Sequence, residues 1–159
     1  MNKAIVTYFS ATGTTERAAK SLAKVAGADL YRITPAVPYS SRDLNWNNSS
    51  SRSSVEMGDD SSRPALAQAA PDLSSYDVVF VGFPIWWYVE PRVIDTFLEA
   101  CDLEGKTVVP FATSGGSGIS RAVSRMRGLV PHVRVVDGRM MNGNPSTSEL
   151  KAWARSFGL

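Results

Sequence analysis

The stretch that most restricts the fold is Val78-Val79-Phe80-Val81-Gly82-Phe83. Its apolar residues run on without polar alternation, so the strand they form is buried on both faces. That favours a parallel sheet. The rest of the chain supplies the alternation such a sheet needs. Lys3–Phe9, with Ile5, Val6, Tyr8 and Phe9, is long enough for a strand and too short for a helix. Ala18, Leu22, Val25 and Ala26 then recur at helical spacing. Ala28–Ile33 reads as a second strand. After Val78–Phe83, Pro91 suits a first helical turn, and Val93, Ile94, Phe97, Leu98 and Cys101 share one helical face. Thr107–Thr113 is a further apolar strand, followed by Ile119, Ala122, Val123 and Met126 at helical spacing. Val133–Val136 is a short fifth strand. Ser146 and Glu149 form a capping-box signature ahead of Leu150, Trp153, Ala154 and Phe157. The order predicts a doubly wound α/β domain with right-handed crossovers. Ligands of such sheets bind beyond the carboxyl ends of the strands, at the switch point. Chemistry is therefore expected in the loops after the first, third and fourth strands.

Composition narrows the function classes. A chain of 159 residues predicts a single domain over 1–159. With 43% hydrophobic and 20% charged residues it is neither disordered nor collagen-like. Lys plus Arg is 17 against 15 for Asp plus Glu, too balanced for a nucleic-acid footprint. Cys101 is alone, which excludes an intramolecular disulfide and a cysteine zinc site; no metal is expected. No segment approaches the ~18 apolar residues of a membrane span, and the start of the chain lacks the apolar core of a signal peptide. A cytoplasmic protein is expected.

Between the second and third strands lies a serine-rich insertion at about 40–62. Nine serines fall between Ser40 and Ser62, with few apolar residues: Leu44, Trp46, Val55 and Met57. It reads either as a flexible insertion or as a loop over the ligand, anchored by Tyr39 and Trp46.

Three loops carry the chemistry. Ser10-Ala11-Thr12-Gly13-Thr14-Thr15 leaves a strand and opens a helix. A helix N-terminus offers unpaired N–H groups and partial positive charge, and Gly13 allows close approach or a positive φ. With hydroxyls at Ser10, Thr12, Thr14 and Thr15, this is a phosphate site. It holds no Lys or Arg, so neutral donors are expected to carry the anion. The alternative is an ordinary helix cap. Pro84-Ile85-Trp86-Trp87-Tyr88 puts three adjacent aromatics in a loop, where flat rings suit a planar ligand or a partner subunit. Thr113-Ser114-Gly115-Gly116-Ser117-Gly118 brings main-chain N–H groups to a ligand edge, or is a plain strand-to-helix turn. All three loops fall at one end of the sheet. Other phosphate motifs fail: Gly105-Lys106-Thr107 has Ala100 where a Walker loop needs Gly, Gly116-Ser117-Gly118 is followed by Arg121 where a third Gly belongs, and Thr107 stands where a cysteine phosphatase loop after Cys101 needs Arg.

These three loops together resemble the flavodoxin family. Residues 10–15 match its FMN phosphate loop, [Ser/Thr]-x-Thr-Gly-x-Thr, and Gly82–Trp87 and Phe111–Gly118 resemble its two isoalloxazine loops. The resemblance covers essentially the whole chain, apart from 40–64. It implies a flavodoxin-like, five-stranded parallel sheet in the order 2-1-3-4-5, helices on both faces, and non-covalent FMN. It assigns the phosphate to Ser10, Ala11, Thr12, Gly13, Thr14 and Thr15. Pro84, Ile85, Trp86, Trp87 and Tyr88 would line the ring, and Thr113, Ser114, Gly115, Gly116, Ser117 and Gly118 would meet the ring edge and ribityl chain. No side chain need act as a catalytic acid or base.

The sequence departs from the family in three ways. The 113–118 loop has no aromatic, so one ring face is left for Tyr39, Trp46 or a second subunit to cover. The stretch 84–90 has no Gly, which argues against a redox-linked peptide flip. The net charge is +2 where electron-shuttling flavodoxins are strongly acidic. Arg121, Arg125, Arg127, Arg134 and Arg139 read as a solvated surface. His132 reads as structural or exposed, and Cys101 as a small buried residue.

Three functions follow. One is an FMN electron-transfer protein serving a redox partner protein or a small-molecule acceptor, as monomer or homodimer. Another is an NAD(P)H-dependent FMN reductase of quinones or other small acceptors. The third is a binding domain that kept the fold and lost the flavin.

Overall fold

The computed structural model describes all 159 residues. In chain order it forms β1 (Ala4–Tyr8), α1 (Thr14–Ala26), β2 (Asp29–Arg32), α2 (Arg52–Met57), β3 (Val78–Pro84), α3 (Arg92–Ala100), β4 (Thr107–Thr113), α4 (Ser120–Leu129), β5 (Arg134–Val135), β6 (Arg139–Met140) and α5 (Thr147–Arg155). The strands pair in parallel in the order β2-β1-β3-β4-β5. That is the order the family resemblance implied. β3 lies at the centre, and Val78–Phe83 are all buried.

Alternation along β3 divides the core into two layers. Val79, Val81 and Phe83 face one side, where they meet Val93, Ile94, Phe97 and Leu98 of α3 and Ala122, Val123 and Met126 of α4. Val78 and Phe80 face the other side, against Ala19 and Leu22 of α1 and Leu150 of α5. Each such side chain contributes about 1.5–3 kcal/mol on burial. The helical stripes read from the sequence therefore face the sheet. α5 starts as its capping box predicts, with Ser146 Oγ accepting from the Glu149 N–H at 3.1 Å.

The expected fifth strand, Val133–Val136, is shorter than read and is followed by a sixth. Arg134 and Val135 lie beside Thr107 and Val108, and pairing resumes with Arg139 and Met140 beside Phe111 and Ala112. Pro110 sits opposite the interruption and has no N–H to donate. The outer strand takes one extra residue there, a bulge. Gly138 makes the bulge feasible: its φ is 69°, and a Cβ there would lie 2.1 Å from the Pro110 carbonyl oxygen.

Pairing continues past the strand ends. Phe9 N–H donates to the Gly82 carbonyl at 2.9 Å, Ile33 N–H to Tyr8 at 2.7 Å, and Ile85 N–H to Thr113 at 2.9 Å. The loops after β1, β3 and β4 therefore leave the sheet at a common level. No helix is long and apolar enough to cross a membrane.

The serine-rich insertion is built into the fold and contains α2, which the sequence reading did not predict. Ser51 caps α2 through the Ser54 N–H. Arg52 donates to the Val37 carbonyl at 2.7 Å and to Glu56 at 2.9 Å. Its guanidinium lies 3.8 Å from the centre of the Tyr39 ring.

Candidate functional site

Gly13 precedes α1 with φ 96°, and no side chain caps the helix. The first N–H groups of α1 therefore have no intrahelical partner and no cap. Ser10 Oγ instead accepts the Gly13 N–H at 3.1 Å, which folds the loop back on itself. Thr15 is buried, and its hydroxyl lies 2.8 Å from that of Thr113. One hydrogen bond thus ties the first loop to the third.

These loops surround an open cleft of about 310 Å³. It brings together Ala11, Thr12, Thr14 and Thr15 from the first loop, Pro84, Ile85 and Trp86 from the second, and Thr113, Ser114 and Gly115 from the third. Ser10 and Gly13 support the floor without lining the cleft. Gly116, Ser117 and Gly118 continue the third loop beyond it.

The expectation that neutral donors alone serve the first loop needs correction. Arg17, one turn into α1, lies against the loop: a Cβ on Gly13 would sit 3.6 Å from its Nη1. Arg32, on β2, reaches the Ser10 carbonyl at 3.4 Å and Glu16 at 2.6 Å. Both cations were missed. The signal for Arg17 is its position four residues after Gly13, because helical side chains lean back toward the N-terminus.

The second loop splits by role. Trp86 turns inward, with its ring centre 5.3 Å from Tyr39 and 5.7 Å from Phe9, both edge-to-face. Trp87 and Tyr88 turn outward, 43% and 60% exposed, and line no part of the cleft. Trp86 and Val89 exchange backbone hydrogen bonds at 2.9 and 3.1 Å around them. Their φ angles are 48° and 71°. This is a two-residue turn that ordinarily requires Asn-Gly, here made by two large aromatics. Arg121 lies 5.3 Å from the Tyr88 ring centre.

The third loop differs from expectation in where its N–H groups go. Ser114 Oγ accepts from Gly116 and Ser117 at 3.0 and 2.8 Å, so those two donors are used within the loop. Ser114 N–H donates to Asn142 Oδ1 at 2.9 Å, and Asn142 Nδ2 donates back to the Ser114 carbonyl. Asn142 is thus a positioning residue absent from the sequence reading; it lies 28 residues from its partner, with no local pattern to reveal it. Gly115, Gly116 and Gly118 have no positive φ, and a Cβ on any of them would meet nothing within 4 Å. Neither backbone strain nor packing explains three glycines there.

Of the two proposed anchors for the insertion, Tyr39 holds and Trp46 does not. Tyr39 is partly buried, packed against Phe9 and Trp86, and its hydroxyl donates to Glu56. Burial, and then that hydrogen bond, raise its phenol above the ordinary range. Trp46 is 70% exposed.

Directly after the aromatic turn, Glu90 is fully buried beside Asp95. Arg125 donates to Glu90 at 2.8 Å and to Asp95 at 2.9 Å. Arg92 donates to the Met57 carbonyl and to Asp60 at 3.0 Å each, which fastens the end of α2 to α3. Arg63 approaches Asp95 at 3.9 Å and pairs with Glu99 at 2.6 Å. Glu90 Oε2 and Asp95 Oδ1 find no donor among the neighbouring groups. Burial, and then the neighbouring Asp95 charge, raise Glu90. Arg125 is therefore not part of a solvated face, whereas His132 is exposed as expected. Burial pushes the Cys101 thiol up to about 12, which makes it a poor nucleophile at neutral pH.

A family model described as flavodoxin matches residues 3–157. A candidate flavoprotein from Bacteroides eggerthii DSM 20697 is 48% identical, with TM-score 0.95 over 100% of this chain and 99% of that one. A second, from Bacteroides uniformis ATCC 8492, is also 48% identical, with TM-score 0.92 over 97% and 98%. A flavoprotein from Lactobacillus acidophilus NCFM, solved in complex with FMN, is 19% identical with TM-score 0.74 over 97% and 99%, a likeness of fold. No curated protein matches. The family match spans nearly the whole chain, in agreement with the strand order and the three converging loops: this protein belongs to the flavodoxin family.

Proposed function

We propose that the chain binds FMN non-covalently in the cleft between the first, third and fourth strand ends and serves in electron transfer. One observation carries this reading: the uncapped N-terminus of α1 shares one cleft with the second loop and with Thr113, Ser114 and Gly115 of the third. The residues fit the cofactor. The free N–H groups at the start of α1 and the hydroxyls of Thr12 and Thr14 hold its phosphate. Arg17 adds positive charge beside Gly13. Pro84, Ile85 and Trp86 form one wall, and Thr113, Ser114 and Gly115 the other. The Ile85 N–H donation to the Thr113 carbonyl ties these two walls together, and the Thr15–Thr113 hydrogen bond ties the third loop to the first. FMN, when bound, supplies the redox chemistry. The chain's own residues bind, orient and shield it.

Titration of the flavin-free protein with FMN tests this. Saturable one-to-one quenching of flavin fluorescence is expected, with Trp86 at the wall. Well-folded protein that leaves the fluorescence unchanged would overturn the reading in favour of a domain that lost its flavin.

A second reading, an NAD(P)H-dependent reductase of small acceptors, is favoured by a cation-bearing cavity that adjoins the cleft. Anaerobic mixing of the FMN-loaded protein with NADH or NADPH separates the two: rapid loss of flavin colour marks the reductase, and its absence the carrier.

A further inference from the structure

Beside the flavin cleft, on the α1 and α5 side of the sheet, lies a larger cavity of about 650 Å³. It shares Thr14, Thr113 and Ser114 with the cleft. One wall is α1, which contributes Arg17, Lys20 and Ser21; the other is the segment 141–145. We propose that this cavity receives the adenosine-phosphate end of a nicotinamide dinucleotide, the reductant for the adjoining cleft. The proposal rests on reading that cleft as the flavin site and on the second, reductase reading of it.

The lining chemistry selects the ligand class. No carboxylate lines the cavity. Arg17 makes no ion pair, and the single ion pair of Lys20, to Glu16 at 3.4 Å, leaves its side chain 60% exposed. Two cations on one wall with no anion opposite suit a phosphate ester. The floor is apolar, formed by Met141 and Leu150, which are 4% and 2% exposed. An inorganic anion would not use that floor or most of the volume; an adenosine would. The far wall is shaped for a fixed rim. Gly143 and Asn144 have φ angles of 76° and 51°, and the Asn142 amide, bound to Ser114, locks the rim to the third flavin loop. The three residues shared with the cleft make the two spaces continuous. A ligand anchored by its phosphates on α1 would extend toward the flavin loops, which a mononucleotide would not. The near-neutral chain argues against a nucleic acid as the source of the phosphates.

The test uses FMN-saturated protein, so that the phosphate loop of the first strand is already filled. It is titrated calorimetrically with 2′,5′-ADP and with 5′-ADP, redox-inert fragments of the two dinucleotides. Saturable one-to-one binding of at least one fragment is expected. Lys20→Glu is expected to weaken it about tenfold, and Ser21→Trp to abolish it by filling the cavity from an exposed helical position. Both variants should keep wild-type FMN affinity. Preference for 2′,5′-ADP supports a 2′-phosphorylated reductant, preference for 5′-ADP one recognised by its pyrophosphate, and equal binding one recognised by the adenosine and 5′-phosphate that the two fragments share. The proposal is overturned if neither fragment binds the FMN-loaded protein, or if binding survives both substitutions. A chain that takes no FMN refutes the cleft reading separately, and the same two variants then decide the cavity on the flavin-free protein.

Discussion

At Trp87 and Tyr88 the backbone takes a conformation that ordinarily belongs to Asn-Gly, with φ 48° and 71°. Positive φ at a bulky residue costs about 1–3 kcal/mol. Trp87→Asn combined with Tyr88→Gly is therefore expected to raise the unfolding free energy by roughly 1–2 kcal/mol, read from urea midpoints. FMN affinity should change little, because neither side chain lines the cleft. A large loss of FMN binding would show that the outward pair turns inward when the site fills. The aromatics themselves were legible in the sequence, as was the missing glycine. Their outward direction was not, because it follows from the Trp86–Val89 pairing. Arg17 was missed for a related reason. It stands outside the 10–15 motif, and only the backward lean of a helical side chain returns it to Gly13.

Between elements, the decisive contact is the clamp that Glu90, Asp95, Arg92 and Arg125 form between α3, α4 and the end of the insertion. Around Glu90 stand Asp95, Asp60 and Glu99 with Arg92, Arg125 and Arg63, a balanced set when Glu90 is neutral. Burial raises Glu90 in the fold to about 8. The folded state then holds a proton that the unfolded chain releases across the window between the ordinary carboxyl range and that value. Stability from this group is full below the window, falls as pH rises through it, and levels off above. The slope is up to about 1.4 kcal/mol per pH unit. Glu90→Gln, which stays neutral, is expected to flatten the pH dependence of the urea midpoint between pH 5 and 8. An unchanged profile would mean that the proton sits elsewhere. Nothing in the serine-rich composition of 40–62 announced this clamp. Its partners lie more than thirty residues away, at positions that local patterning does not connect.

For the whole molecule, the three loops leave one end of the sheet and are joined by the Thr15–Thr113 pair and by the Ile85 N–H donation to the Thr113 carbonyl. A ligand bridging them adds stability by mass action. FMN at a hundred times its dissociation constant should contribute about 2.7 kcal/mol. For a chain of this length that is a rise of roughly 5–10 °C in Tm. A rise under 1 °C at saturating FMN would argue against binding across the loops. The sheet's central strand, the helix faces and the three loops were legible in the sequence, because each rests on short-range periodicity or on the conformational needs of a few adjacent residues. The strand order was implied by family resemblance. Folding in three dimensions revealed that Arg17 joins the first loop, that Asn142 holds the third, that Tyr39 and not Trp46 anchors the insertion, and that the outer strand bulges past Pro110. The last three depend on which groups meet across long stretches of chain, and packing settles that where local pattern does not; Arg17 meets Gly13 four residues away, through the backward lean of a helical side chain.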